Sequence, residues 1–284
     1  MFAQPKACPN PDCQAHGAPV GRWWRRFGHY KARHNHQPVP RYQCGLCGRT
    51  FSATQDQPKA GQHRPDLNGQ LFRLLVSGVN ARRAGIILGC ARGTVDRKIR
   101  HLVEQAKAHH TEFLAGLKTH HVMMDELFTF IHARSQPVTV ALVVRVSTGE
   151  VVSFVICRQT SKTPVNGRWA QDDRHLNIPV LLGRLPPVLK PGAILSTDAD
   201  PSYGKWIRKA LPGVHHQATK ALVSKLAQKS RQRDPLFAIN LTFAKMRNDL
   251  ARLGRKTWTT SKTREGLERH VWLWVAWTNK YPMK

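Results

Sequence analysis

The sequence predicts an α/β chain whose main sheet is mixed, with three antiparallel strands first, preceded by a cysteine-rich ribbon and a group of short helices. Three observations carry that expectation. Two cysteine pairs lie near the start, three β-branched runs follow one another after His120, and a later apolar run ends in Asp198-Ala-Asp200. The 284 residues include 45 Lys and Arg against 17 Asp and Glu, a net charge of +28. A protein so basic repels itself unless a polyanion neutralises it, so nucleic acid is the expected partner. With 41% hydrophobic residues and 8 Trp the chain can bury a core, which excludes a disordered basic tail. No apolar run approaches the roughly 20 residues of a membrane span. Met1–Cys13 has no apolar stretch of the secretory kind, so a cytoplasmic, nucleoid-associated protein is expected. The expected division is a ribbon module over 1–60, a helical module over 61–115 and the main domain over 116–284.

Cys8, Cys13, Cys44 and Cys47 form the two pairs. The second reads Tyr42-Gln-Cys-Gly-Leu-Cys-Gly-Arg-Thr-Phe51, a knuckle in which Gly permits the tight turn and Phe51 closes over the site. Four thiolates are the set Zn²⁺ takes in closed structural sites; a mixed set using His16 is the alternative. A disulfide fits a reducing compartment less well. Cys90 and Cys157 lie among apolar residues and are expected in the core. Between Asp12 and Asp56 there is no acid, while Arg22, Arg25, Arg26, Lys31, Arg33, Arg41 and Arg49 alternate with Trp23, Trp24, Phe27 and Tyr30. A ribbon that grips phosphates accounts for that imbalance, with Arg25 and Arg26 as contacts. The plainer account packs the aromatics on the zinc site.

Residues 65–108 read as three helices. One opens at Asp66-Leu67, a second at Asn80 and a third at Thr94, whose Val95, Ile99 and Leu102 share a face. Gly85 is small where two helices would cross and Gly89 supplies the turn, the grammar of a helix-turn-helix. Thr94, Asp96, Arg97, Lys98 and Arg100 would then face a DNA groove.

Val122–Ile131, Val138–Val146 and Val151–Cys157 are strand-like runs joined by short turns, an antiparallel meander. A helical stretch over about 168–184 leads to a strand over 193–197, and a short strand follows at 214–218. Three antiparallel strands, a helix and a strand ending in a carboxylate match the order of an RNase H-like domain. That order sets Asp125 beside Asp198, two carboxylates that repel unless cations such as two Mg²⁺ lie between them. Glu126 alternates to the other side of its strand. Asp198 as a mere helix cap is the plainer alternative.

From Asp200 to Asp234 the chain carries Lys205, Arg208, Lys209, Lys220, Lys225, Lys229, Arg231 and Arg233 with no acid between. Such a run toward a metal site reads as a phosphate track, with Lys225 and Arg231 among its contacts. It enters a helix in which Phe243, Met246, Leu250 and Leu253 form the buried stripe, while Asn240 and Arg247, seven apart, share another face. Leu267, Val271, Trp274 and Val275 mark a last helix. Trp272 and Trp277 fall off its stripe, where a dimer surface or base stacking would use them.

Leu250-Ala-Arg-Leu-Gly-Arg-Lys-Thr257, Thr260-Ser-Lys, Thr197-Asp198 with Tyr203, and Met124-Asp125-Glu126 together resemble motifs of the transposases of insertion-sequence family one and its wider superfamily. The cysteine pairs and Ala81–Gly89 resemble the N-terminal part of that family. The resemblance spans nearly the whole chain. It implies a DDE-type DNA transposase that uses Mg²⁺ to nick the ends of its element and join the freed 3′-OH to target DNA, as a homo-oligomer on double-stranded DNA. Carried over, Asp125 and Asp198 are the first two ligands and Arg247 the basic residue two turns beyond the third. The third falls at Asn240, where the best-known members have Glu. Asp234 and Asp249 are the nearest carboxylates. Asp249 sits nine residues on, about 900° of helix, and points elsewhere. A DNA-binding regulator that no longer cuts and a resolvase of branched DNA are the competing functions.

Overall fold

The computed structural model describes residues 4–17, 19, 21–32, 36–55, 62–160, 164, 171–220, 234–254 and 258–283. The chain divides into two compact units, 1–70 and 71–283.

In the first unit β1 (Trp24–Lys31), β2 (Pro38–Cys44) and β3 (Thr50–Ser52) pair antiparallel in that order. Their core is small: Trp23, Tyr42 and Phe51 cluster with Cys8, Cys13 and Cys44. Trp23 stacks on Phe51 at 5.8 Å, and Trp24 meets Tyr42 edge-on at 4.8 Å. Phe27 and Tyr30 stay exposed. The aromatics therefore divide, one pair packing on the cysteines and the other lying among exposed cations.

α1 (Leu67–Val76) leads into the second unit, followed by α2 (Ala81–Ile87) and α3 (Arg92–Gly116). Asn80 caps α2, its side chain accepting from Arg83 N–H at 3.0 Å. At Gly85 a Cβ would stand 3.0 Å from the Cys90 carbonyl and 3.3 Å from Val95 Cγ2, so only a bare backbone fits there without a shift. Gly89 turns the chain with φ +59°. Val95, Ile99 and Leu102 are buried as their spacing predicts. α3 begins at Arg92 and continues to Gly116, 25 residues, well beyond the expected end near 108. Its later turns bury Val103, Ala106 and His110, and its core is shared with Leu273 and Ala276 of the last helix.

β4 (Thr119–Phe130), β5 (Pro137–Arg145) and β6 (Val151–Arg158) form the antiparallel meander. After α4 (Arg174–Gly183), β7 (Leu189–Thr197) pairs parallel to β4, and after α5 (Pro201–Ala210), β8 (His215–Ala218) pairs parallel to β7. The sheet order is β6-β5-β4-β7-β8. β7 starts four residues before the β-branched run, because Leu189-Lys-Pro-Gly hydrophobicity is low while its backbone still pairs with Thr119. β5 is buried on both faces, since helices cover each side. α6 (Phe237–Asp249) and α7 (Arg264–Thr278) pack on the Met123 and Leu127 face, while α4 and α5 pack on the Val122 and Met124 face. Phe243, Met246, Leu250 and Leu253 are all buried. Trp272, expected off the packed stripe, instead lies edge-on against Phe154 at 4.9 Å and His110 at 5.3 Å, because α3 and β6 wrap that side of α7. Trp277 is half exposed.

Candidate functional site

Cys8 Sγ lies 3.6 Å from Cys47 Sγ, and Cys13 Sγ 3.7 Å from Cys44 Sγ. All four sulfurs fall within 4.8 Å of one another. Thiolates placed about 2.3 Å from a central zinc ion at tetrahedral angles are about 3.8 Å apart, so the spacing fits such an ion. Backbone bonds make the two knuckles. Cys13 N–H donates to Asn10 O and His16 N–H to Cys13 O, while Gly48, with φ +73°, donates to Cys44 O at 3.0 Å. The Arg49 backbone N–H favours the Cys47 thiolate and holds it down at about 6, whereas burial pushes the Cys8 thiol up to about 12. The His16 ring bonds the Cys8 carbonyl at 2.7 Å through Nδ1. The convergent set is therefore the four cysteines, with His16 steadying their loop from outside. They can bind a metal ion such as zinc.

The carboxylates come together through the parallel pair of strands. Met123 pairs with Ser196, and two residues further along stand Asp125 on β4 and Asp198 just past the end of β7. Alternation sends both side chains to the face on which α6 packs through Ile239, Phe243 and Met246. Burial, with the Asp198 and Glu126 charges adding to it, pushes the Asp125 carboxyl up to about 7. Only the Glu126 backbone N–H, 2.7 Å from Asp125 Oδ1, pulls the other way. The α5 cap is Asp200, whose Oδ1 accepts from Ser202 N–H at 2.8 Å. Asp198 is thus not the cap; its Oδ1 accepts only the Asp200 N–H, at 3.1 Å, among the described residues. A cation between the two carboxylates would offset both the burial of Asp125 and the Asp198 charge, and so favour the ionised form of Asp125.

Glu126 points to the opposite face, as the alternation predicts. There it accepts from Thr139 Oγ1 at 2.7 Å and from the Tyr203 hydroxyl at 2.8 Å, with Arg174 Nη1 at 3.7 Å. Arg174 in turn pairs with Asp172 at 2.8 Å. This network holds β4 directly behind Asp125. Sequence reasoning missed it, because Glu126 and Tyr203 are 77 residues apart and no local pattern links them.

Asn240 is exposed in the first turn of α6. Its Nδ2 donates to Asp234 Oδ2 at 2.7 Å, while Asp234 Oδ1 accepts from Leu236 N–H at 2.9 Å. One of the amide's two N–H donors is thereby tied to Asp234, which turns its oxygen away from that carboxylate. Arg247 lies two turns on, half-buried. Asp249 is structural: its carboxylate accepts from Trp274 Nε1 at 3.0 Å and its carbonyl from Gly78 N–H at 2.8 Å.

Arg25 and Arg26 are exposed on β1, and the Arg25 guanidinium donates to Gln43 Oε1 at 2.6 Å. On α3, Arg97 and Arg100 are exposed and Thr94 is half-buried, while Asp96 is tied to Arg92 at 3.3 Å. Lys98 corrects the expectation: it is buried, because position 98 falls three after Val95 and one before Ile99, on the packed side of the helix. Lys225 and Arg231 lie outside the described residues. Compared with known proteins, the chain matches no family model and no curated sequence.

Proposed function

We propose that this protein is a DNA transposase of the DDE type, with an RNase H-like domain carrying Asp125, Asp198 and Asn240, and with a zinc ribbon and a helix-turn-helix that bind the element ends. The observation that carries this is the carboxylate pair: Asp125 and Asp198 lie at the junction of the first and fourth strands of a sheet ordered 3-2-1-4-5, facing the helix with Asn240. Two Mg²⁺ ions held by those carboxylates and the Asn240 oxygen would supply charge stabilisation and an activated attacking oxygen. Burial raises the Asp125 carboxyl, and cations held there would favour its ionised form. The Glu126, Tyr203 and Arg174 network keeps β4 fixed behind it. Attack by water at an end phosphate breaks the bond to the 3′ oxygen and frees a 3′-OH. That hydroxyl then attacks a target phosphate and displaces a second 3′ oxygen. The exposed Arg25, Arg26, Arg97 and Arg100 hold backbone phosphates in register.

The test uses the full chain, Mg²⁺ or Mn²⁺, and a plasmid carrying the gene with its native flanking DNA. Nicking at the flanks and strand joining are expected. Asp125→Asn and Asp198→Asn should each reduce both by at least about a thousandfold, the scale of several kcal/mol of lost charge stabilisation, with DNA binding retained. Asn240→Ala is expected to lose less, since an amide brings no charge. Wild type that binds the flanks yet cuts in neither metal would replace this function with that of a DNA-binding regulator.

A further inference from the structure

At the strand ends of the main sheet away from Asp198 lies a cleft of about 320 Å³ whose wall includes Lys118, His121, Arg145, Ser147 and Lys190. The topology assembles it. The N-terminal ends of the parallel strands β4 and β7 and the C-terminal end of the antiparallel β5 all meet there. His121, within the cleft, lies four residues from Asp125, roughly 13 Å along the strand. The cleft is therefore separate from the carboxylate pair.

Its lining is cationic. Three side chains carry fixed positive charge and no carboxylate lines the wall. The nearest compensation is Glu150, which accepts from Arg145 Nη1 at 3.1 Å and from Thr148 Oγ1 at 2.7 Å. Lys118 Nζ donates to Pro187 O at 2.6 Å, an anchor that fixes its ammonium while leaving two further N–H donors. Arg145 Nε is buried with no hydrogen-bond partner among the described residues. The Ser147 hydroxyl adds a donor of the kind that completes an oxyanion shell, while the Thr119 hydroxyl is already spent on the His121 carbonyl at 3.3 Å. A ligand offering several acceptor oxygens is the chemistry that matches the cationic groups of this wall.

We propose that this cleft is a phosphate-binding site, in which Lys118, Lys190 and Arg145 hold the oxygens of a phosphate or diphosphate group. The volume admits that group with part of what it is attached to. Two sources share this chemistry: the backbone of a DNA duplex running past these strand ends away from the carboxylates, and a free phosphorylated small molecule.

The experiment measures binding of the full-length protein to a short DNA duplex over a range of salt concentrations, and separately to inorganic pyrophosphate by calorimetry. Lys118→Ala and Lys190→Ala are compared with Lys107→Ala, which removes one charge from the exposed face of α3, where Lys107 pairs with Glu104. Lys190 is exposed, so its replacement leaves the fold intact even if Lys118→Ala loosens the Pro187 contact. If the source is DNA, each cleft variant lowers the salt slope of duplex binding by about one unit, and Lys107→Ala does not. If the source is a small molecule, duplex binding is unchanged and pyrophosphate affinity falls by about tenfold or more, one charged contact's worth. The site is overturned if Lys190→Ala matches Lys107→Ala with both probes. Neither result depends on cleavage, so the site stands or falls apart from the transposase function.

Discussion

Four sulfurs at the start of the chain converge within 4.8 Å of one another, while the carboxylates of Asp125 and Asp198 stand side by side with the Asn240 amide turned to Asp234. The sulfur set is complete in itself. Its donors come from two knuckles whose bonds span a few residues each, such as Gly48 N–H to Cys44 O. The carboxylate set depends on distant elements. β4 supplies one donor, β7 another 73 positions later, and α6 supplies the helix over them, held by α7 through Trp274 and Asp249. A closed donor set holds an ion as part of the fold, whereas an open pair leaves positions for a substrate.

Metal removal breaks the comparison most sharply. Structural zinc in small modules contributes on the order of 10–16 kcal/mol of apparent binding energy. Stripping the metal with a strong chelator, or Cys44→Ser, should therefore unfold the ribbon, read as rapid proteolysis within residues 4–55. The 71–283 unit should keep its own cooperative melt. A ribbon that stays protease-resistant without metal would show that its aromatic core suffices.

Acidification separates the regions by a smaller effect. His110, bonded to Tyr281 at 2.7 Å, and the buried His270 are both held below the usual histidine range, mainly by burial. A histidine depressed in the folded state takes its proton more readily in the unfolded chain. Its contribution to stability is full above pH 6.5 and is lost as pH falls below that value. The 71–283 unit should lose up to about 1.4 kcal/mol per pH unit for each histidine that stays neutral. His110→Gln should flatten part of that slope, measured by denaturant melts from pH 7.5 to about 5; an unchanged slope would place the acid sensitivity elsewhere.

The smallest effect sharpens the account of Asn240. Asp234→Ala removes both the Leu236 N–H bond and the tether on the Asn240 amide. It should cost about 1 kcal/mol of stability, the scale of a lost helix cap. A thermal melt checks this, and a loss above several kcal/mol would show that Asp234 contributes more than these two bonds.

Much of the architecture was legible in the chain. The β-branched runs marked β4, β5 and β6 to within a few residues, since strands buried on both faces announce themselves as apolar runs. The 44–49 knuckle announced the sulfur cluster, and the neighbouring Gly85 and Gly89 announced tightly joined helices. Two things were illegible for a physical reason. The length of α3 past residue 108 follows from the shelter of Leu273 and Ala276, which lie over 150 positions away and leave no local periodicity. The burial of Lys98 was hidden because lysine on a helix reads as a solvated face by default.

By itself, then, the sequence determined the donor types, the order of strands and the two acid-free basic tracts, because these are properties of composition and local period. Only the tertiary structure decided which of them meet. Parallel pairing of β4 with β7 set Asp125 beside Asp198 and brought cationic residues together in a cleft at the opposite strand ends, since strands in register bring like positions together at both ends. It also assigned the helix cap to Asp200 and the amide of Asn240 to Asp234, choices made by distances that no spacing in the chain contains.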